Sequence, residues 1–226
     1  MSKNLIIAID GPAGSGKSTL AKNLAEKLNS VYVDTGAMYR AITYLALRNK
    51  IADDEAAVIK MTRGLNIKLQ YKDGLTHVLV NGEEVTDFIR TAEVNAKVSD
   101  ISRIPEVRAE LVKIQRRMGE ANTLVAEGRD VTTVVFPDAE IKIFLTADLD
   151  VRTERRLKEY REKGDSQITF EEVKTNLAER DKIDSGRAVS PLKKADDAFE
   201  LDSTNISIGD ELNIVLNKIN KIKEKV

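Results

Sequence analysis

The sequence predicts an α/β fold with a parallel central sheet. Three observations carry that reading. The chain opens strand–helix–strand–helix, its first strand and helix are joined by a glycine-rich turn, and its later apolar runs are separated by long helical stretches. Leu5–Asp10 is a short apolar run bounded by Gly11 and Pro12, and reads as a buried strand. Ser18–Leu28 carries Leu20, Ala21, Leu24, Ala25 and Leu28 on one helical stripe. Val31–Val33 is a second strand, and Asp34-Thr35-Gly36 leads into a helix over roughly 37–49. Between 65 and 82 the period changes. Leu65–Tyr71 alternates, Lys72-Asp73-Gly74 turns, Leu75–Val80 follows, and Asn81-Gly82 turns again, which predicts antiparallel hairpins inserted at one end of the sheet. His77, out of phase with Val78 and Val80, reads as a surface strand histidine. Leu124–Ala126 and Ile141–Leu145 are further strands, a last one lies near 198–201, and Glu211–Lys225 is the closing helix.

Composition narrows the chemistry. The chain has 226 residues, with 36 Lys and Arg against 37 Asp and Glu, so the net charge is −1. A whole surface built for nucleic acid or an anionic membrane is excluded, while a locally basic cleft is not. The longest wholly apolar run, Leu5–Ile9, is far short of the ~20 residues of a spanning helix. Met1-Ser2-Lys3-Asn4 shows no signal-peptide pattern. These features predict a cytoplasmic protein without membrane or nucleic-acid partners. Cysteine is absent and histidine occurs once, which removes disulfides, thiolate nucleophiles and multi-His metal sites. Lysine, arginine, carboxylates, hydroxyls and backbone amides remain.

The turn after the first strand, Gly11-Pro12-Ala13-Gly14-Ser15-Gly16-Lys17-Ser18, satisfies G-x-x-x-x-G-K-[ST] between a strand and a helix, with Thr19 following. Its glycines let backbone N–H groups wrap phosphates, Lys17 suits the β and γ oxygens, and the Ser18 hydroxyl suits Mg²⁺. This is a nucleoside-triphosphate cradle, which alone does not choose between switch GTPases, transport ATPases and small-molecule kinases. A switch GTPase would also need D-x-x-G and N-K-x-D. The first is missing, and Asn49-Lys50-Ile51-Ala52 and Asn217-Lys218-Ile219-Asn220 do not complete the second. The Ser-Gly-Gly signature of transport ATPases is also missing, which leaves a small P-loop kinase.

Phosphoryl transfer consists mostly of positioning and charge neutralisation, so such a kinase needs further cations. Arg40 lies on the first turns of the second helix. Glu127-Gly128-Arg129-Asp130 follows a buried strand at its carboxyl end, where open α/β sheets bind ligands. Arg152, Arg155, Arg156 and Arg161 follow the strand ending at Leu145; a solvated face with a Glu154–Lys158 pair is the competing explanation there. Arg180-Asp181-Lys182-Ile183-Asp184-Ser185-Gly186-Arg187 is a dense polar stretch between helical segments.

I-A-I-D-G-P-A-G-S-G-K-S-T, V-D-T-G-A-M-Y-R, G-R-D…T-V-V-F-P-D-A, I-K-I-F-L and R-D-x-x-D-S-x-R…S-P-L, in this order along essentially the whole chain, closely resemble bacterial cytidylate kinase. The resemblance implies a three-layer P-loop nucleoside-monophosphate-kinase fold over residues 1–226. It implies a monophosphate-binding region at about 35–105, containing the antiparallel insert at about 65–90, and a short lid at about 150–166. The implied activity moves the γ-phosphoryl of ATP to CMP or dCMP with Mg²⁺. Gly11 to Thr19 would hold ATP. Arg40 and Arg129 would hold the acceptor phosphate, while Thr35, Arg180 and Asp184 would hold the ribose. Ser99, Arg108 and Arg187 would read the base, with Asp130 fixing base and sugar. Arg152, Arg155 and Arg156 would lie in or beside the lid, clamping the transferring group with Lys17. Ser18 would hold the metal, with Glu127 near its shell through water. Donor-only arginines suit cytosine O2 and N3, whereas uracil would turn N3–H towards them.

Two positions depart from the family pattern. Glu127 stands where Asp is usual, keeping the charge on a longer arm, and Thr132 stands where Gly is usual, removing backbone freedom. A P-loop kinase with a non-nucleotide acceptor such as shikimate or gluconate is the alternative reading, and a non-catalytic nucleotide-binding module is another. No heptad or unexplained apolar stripe is present, which predicts a monomer.

Overall fold

The computed structural model describes residues 5–72, 74–121, 123–162, 164 and 167–223. The leader expectation at residues 1–4, the turn residue Asp73 and the last residues of the closing helix lie outside the described residues. Five strands form the predicted parallel sheet: β1 (Ile6–Asp10), β2 (Val31–Asp34), β6 (Leu124–Gly128), β7 (Ile141–Thr146) and β8 (Phe199–Asp202), in the order β2-β6-β1-β7-β8. Central β1 pairs with β6 on one side and β7 on the other, so Ile7, Ala8 and Ile9 are fully buried. That burial is why the strand reads as a continuous apolar run rather than an alternating one.

Helix α1 (Lys17–Lys27) and α8 (Ile208–Lys223) cover one face, where Leu20, Leu24, Val215 and Ile219 pack on Ile7, Ile9 and Ile143. On the other face Val33, Ala126, Val131 and Val135 meet α5 (Pro105–Ala121). Helix α8 begins three residues earlier than the apolar pattern places it, because the Ser207 hydroxyl accepts the Asp210 N–H at 3.1 Å and caps the turn.

The antiparallel insert is β3 (Ile67–Lys72), β4 (Leu75–Val80) and the two-residue β5 (Glu83–Glu84). Asn81 and Gly82 both have positive φ, as a tight Asn-Gly hairpin requires. The insert shares a core with α2 (Thr35–Arg48), α3 (Glu55–Thr62), α4 (Ala92–Ser102) and α5: Ile67, Val78 and Val80 pack with Met38, Ile42, Val58, Ile101 and Leu111. His77 is partly exposed on β4 and holds Glu84 at 2.7 Å, in line with a surface strand histidine.

Two expectations are corrected. The polar stretch 180–186 is not a connector: α7 runs from Phe170 to Gly186, started by a capping box between Thr169 and Glu172. Its buried side is narrow, with Val173, Leu177 and the polar Asp184, so it leaves little apolar periodicity to read. On α6 (Leu149–Glu162) the ammonium of Lys158 lies 3.9 Å from Glu162, rather than pairing with Glu154.

Candidate active site

The carboxyl ends of β1, β2 and β6 open onto a cleft of about 740 Å³. The phosphate cradle forms its floor. Gly11 has φ +153, and a Cβ there would lie 2.0 Å from the Leu145 carbonyl oxygen, so only glycine lets the chain leave β1 past β7. Gly16 caps α1 at φ +97 with no side-chain bond, and no acid occupies the first turn. The N–H groups at this helix start are therefore left for an anion. Lys17 is 4% exposed; its ammonium donates to Pro12 O at 2.6 Å and Ser15 Oγ at 3.3 Å. Burial, with Arg129 adding to it, draws its pKa down to about 7. Ala13, Gly14, Ser18 and Thr19 line the cleft, while Ser15 is fully buried beneath.

Arg152 does not reach the cleft. It is 7% exposed and lies under the cradle, donating to Ala13 O at 3.1 Å and Ala147 O at 2.9 Å. Asp181 pairs with it at 2.5 Å and also accepts the Ala13 N–H at 3.3 Å, so Arg152 and Asp181 brace the loop from behind. Arg155 and Arg156 do line the cleft. Arg155 is anchored on Ser203 at 2.7 and 3.0 Å, and Arg156 pairs with Glu159 at 2.8 Å.

Beyond the cradle, Arg40, Arg90, Arg108, Arg129 and Arg187 are each held against a carboxylate. Asp34 caps α2 through the Ala37 N–H at 2.9 Å, and its second oxygen accepts from Arg40 at 2.9 Å and Arg90 at 3.1 Å. Burial pushes its pKa up, but Arg40 and Arg90 outweigh that and hold it below the usual carboxylate range. Arg129, at the end of β6, donates to Asp184 of α7 at 2.8 Å. Arg180 lies close by with its Nε unpartnered, and burial with the neighbouring Arg129 charge pulls its pKa down to about 9. The Thr35 hydroxyl donates to the Glu127 carbonyl at 2.7 Å. Glu127 itself is buried, and its carboxylate accepts from the Tyr32 hydroxyl at 2.7 Å.

At the far end Arg108, 2% exposed, pairs with Asp130, donates to Ser102 O at 2.8 Å, and lies 5.0 Å from the Tyr39 ring centre. Arg187 donates to Ser190 O at 2.7 Å and approaches Asp184 at 3.6 Å. The Tyr39 hydroxyl and the Nε atoms of Arg108 and Arg187 are buried without partners. Such atoms are costly when left empty and suit a polar ligand. Ser99 lines the same end.

Thr132 needs none of the freedom of glycine. It lies in a π-helical turn (Val131–Val135) at negative φ, and its hydroxyl and N–H reach Asp10 at 2.6 and 2.7 Å. Asp10 also accepts the Val131 N–H at 2.9 Å. Burial pushes Asp10 up to about 6 against those bonds. The threonine thus ties the turn carrying Arg129 and Asp130 to the end of β1.

A sequence profile for the family described as cytidylate kinase matches residues 7–221. The chain belongs to the cytidylate kinase family. A cytidylate kinase from Bacillus cereus is 45% identical over 227 residues, covering 100% of both chains. One from Bacillus thuringiensis is 48% identical over 210 residues, 92% of each chain. In fold, the chain is similar to a crystal structure of an uncharacterized protein from Eubacterium ventriosum, with a TM-score of 0.53 at 16% identity, covering 97% of this chain and 99% of that one.

For a cytidylate kinase family member the cleft brings together all the residues expected around the acceptor: Thr35, Arg40, Ser99, Arg108, Arg129, Asp130, Arg180, Asp184 and Arg187 line it. Sequence reasoning missed Asp34, Tyr39, Arg90, Asn95 and Ser102, which line it too. Tyr39 sits inside a quoted motif beside Arg40 and could have been singled out. Arg90 follows the insert in no motif, and only the fold carries it to Asp34. Among the described residues no cluster of three or more His, Cys, Asp or Glu could hold a metal. The exposed Ser18 hydroxyl at the cradle and the Glu127 carboxylate fit a hard ion taken up mainly through nucleotide phosphates, as Mg²⁺ is.

Proposed function

We propose that this protein transfers the γ-phosphoryl group of ATP to CMP or dCMP, giving ADP and CDP or dCDP. The observation that carries this is one cleft holding an open phosphate cradle beside two sets of arginines, Arg40 with Arg129 and Arg108 with Arg187. The first set suits the acceptor phosphate, facing the cradle across Lys17. The second, with Asp130 and Ser99, suits the base. An arginine beside a carboxylate presents a donor next to an acceptor, which matches cytosine N3 and its 4-amino group. Uracil reverses both groups. Thr35, Arg180 and Asp184 lie between the two sets and suit the ribose.

The residues act by positioning and neutralisation. The cradle amides and Lys17 hold the β and γ oxygens, Arg155 and Arg156 approach from α6, and Arg40 and Arg129 bring the acceptor oxygen in line. No side chain has to become covalently attached, and no strong general base is needed. Ser18 would hold Mg²⁺, with Glu127 near its shell through water, and the ion would supply positive charge against the phosphates. Residues 35–105 serve as the monophosphate-binding region and about 150–166 as the lid, of which residues 163, 165 and 166 lie outside the described residues. Every group named comes from one chain, so a monomer suffices.

A coupled assay with ATP and a panel of CMP, dCMP, UMP, shikimate and gluconate tests the reading. CMP and dCMP turn over; turnover of shikimate or gluconate with none of the nucleotides would overturn it. Lys17→Ala and Arg129→Ala each lower kcat on the order of 10²–10³-fold with modest loss of thermal midpoint, the loss in Arg129→Ala arising because Asp184 is left without its 2.8 Å partner. Near-parental kcat in either variant removes the role given to that residue.

A further inference from the structure

One hydrogen-bonded cluster joins the two substrate sites from behind, since neither Asp10 nor Thr132 lines the cleft. Asp10 ends β1 next to Gly11, where the cradle starts, and is fully buried. Its backbone thus belongs to the donor side. Its carboxylate grips the acceptor side: one oxygen accepts the Val131 N–H at 2.9 Å, and the other accepts the Thr132 N–H at 2.7 Å and the Thr132 hydroxyl at 2.6 Å. Arg129 and Asp130 are the two residues just before this turn. The far end of the turn is tied as well, because Arg116 of α5 donates to Val134 O at 2.7 Å and Val135 O at 3.0 Å.

Sheet geometry says why such a grip is needed. Asp10 stands opposite Gly128 in the parallel ladder, and both strands end at that pair. Past it the ladder no longer fixes the gap between the cradle and the chain that carries Arg129. That gap sets how far the acceptor oxygen lies from the γ-phosphorus, and a misplacement of about 1 Å can cost such a reaction about 10²-fold. The Val131 and Thr132 N–H groups are present whatever the side chain is. The hydroxyl is what threonine adds, and a hydroxyl on a carboxylate makes a short, strong bond. Glycine, usual at this position in the family pattern, has none.

We propose that Thr132 is a positioning residue for phosphoryl transfer. Its hydroxyl, held by Asp10, keeps the turn bearing Arg129 and Asp130 at the distance from the cradle that in-line attack requires. This rests on the kinase reading above and adds to it a residue that touches neither substrate. Asp10 itself is a less clean handle, because its charge also favours the ammonium form of Lys17. Thr132 is 1% exposed and carries no charge, so replacing it leaves the charges of the cleft in place.

The test is the single-turnover rate of transfer, with enzyme in excess over ATP and CMP saturating, in the parent, Thr132→Val, Thr132→Ala and Thr132→Ser. Valine keeps the branched shape and alanine does not, but both lack the hydroxyl. Each slows transfer about fivefold and leaves the steady-state KM for ATP and for CMP within about twofold. Serine keeps the hydroxyl and holds the rate within about twofold of the parent. Valine and alanine also lower the ligand-free thermal midpoint, so stability alone does not decide. A lowered midpoint with a parental transfer rate leaves Thr132 a structural role only and overturns the proposal. A serine variant as slow as the valine one does the same, as does a raised KM for CMP with the saturated transfer rate unchanged. Absence of CMP turnover in the parent would instead sink the kinase reading, so the two failures are separable.

Discussion

Lys17 meets phosphate from an unusual starting point, because its ammonium is buried against a carbonyl and a hydroxyl with Arg129 nearby, and its pKa falls to about 7. At pH 8 most of the ligand-free protein therefore carries it neutral. Phosphate oxygens favour the charged form and raise its pKa, so nucleotide binding draws in protons. Calorimetry of Mg·ATP binding at pH 8 in buffers of different ionisation enthalpy should show uptake approaching about one proton per site, and a buffer-independent heat would contradict this. At this scale the sequence was legible wherever a residue follows a strand end, as Arg40 and Arg129 do. It misled at Arg152: four arginines on one helix share a composition, and only packing decides that Arg152 turns under the loop while Arg155 and Arg156 face the cleft. Arg90 belongs to no motif, and only distant chain segments give it its surroundings. Thr132 looked like a lost glycine, but the meaning of the substitution lay in Asp10, far away in sequence.

Elements carry the next layer of the site, and β6 is the clearest case. It ends at Gly128, where a Cβ would lie 2.4 Å from Thr35 Oγ1 and 2.7 Å from Val131 Cγ2. The strand must pass the start of α2 that closely for the Thr35 hydroxyl to reach the Glu127 carbonyl. Gly128→Ala should therefore break that bond and crowd the π-helical turn, costing about 1–3 kcal/mol in urea unfolding and raising KM for CMP more than KM for ATP. Equal effects on both substrates would place the disturbance elsewhere. Strands β1, β2, β6 and β7 were readable to within a residue or two from their short apolar runs, with glycine and proline marking the end of β1. Helix α7 was not, because Asp184 occupies one of its buried positions and its partner is Arg129 rather than an apolar neighbour.

Across the whole molecule, charge is divided unevenly. The chain carries −1 overall, yet among the described residues eleven lysines and arginines line the cleft against six acids. An anion that enters relieves repulsion between these cations. Inorganic phosphate should therefore raise the thermal midpoint more than sodium chloride at equal ionic strength. CMP at a hundred times its Kd should add about 2.7 kcal/mol, roughly 5–10 °C for a chain of this length. Cytidine without phosphate should do much less, and equal shifts from CMP and cytidine would refute the assignment of the arginines. The parallel sheet and the inserted hairpins were legible as patterns. Their mutual packing was not, since Val78 and Val80 meet Met38 and Leu111 only through contacts distant in sequence.

The seam between the two sheets has an optical consequence. Tyr71 of the insert meets the Tyr32 ring edge-on, with centroids 5.2 Å apart, and Lys22 lies near both rings. Tyr32 in turn donates its hydroxyl to Glu127, on the cleft wall. The protein has five tyrosines and no tryptophan, so no indole masks their emission or their near-ultraviolet dichroism. A phenol bonded to a carboxylate is quenched, which makes Tyr32 a native probe of whatever draws that carboxylate away, readable without a dye.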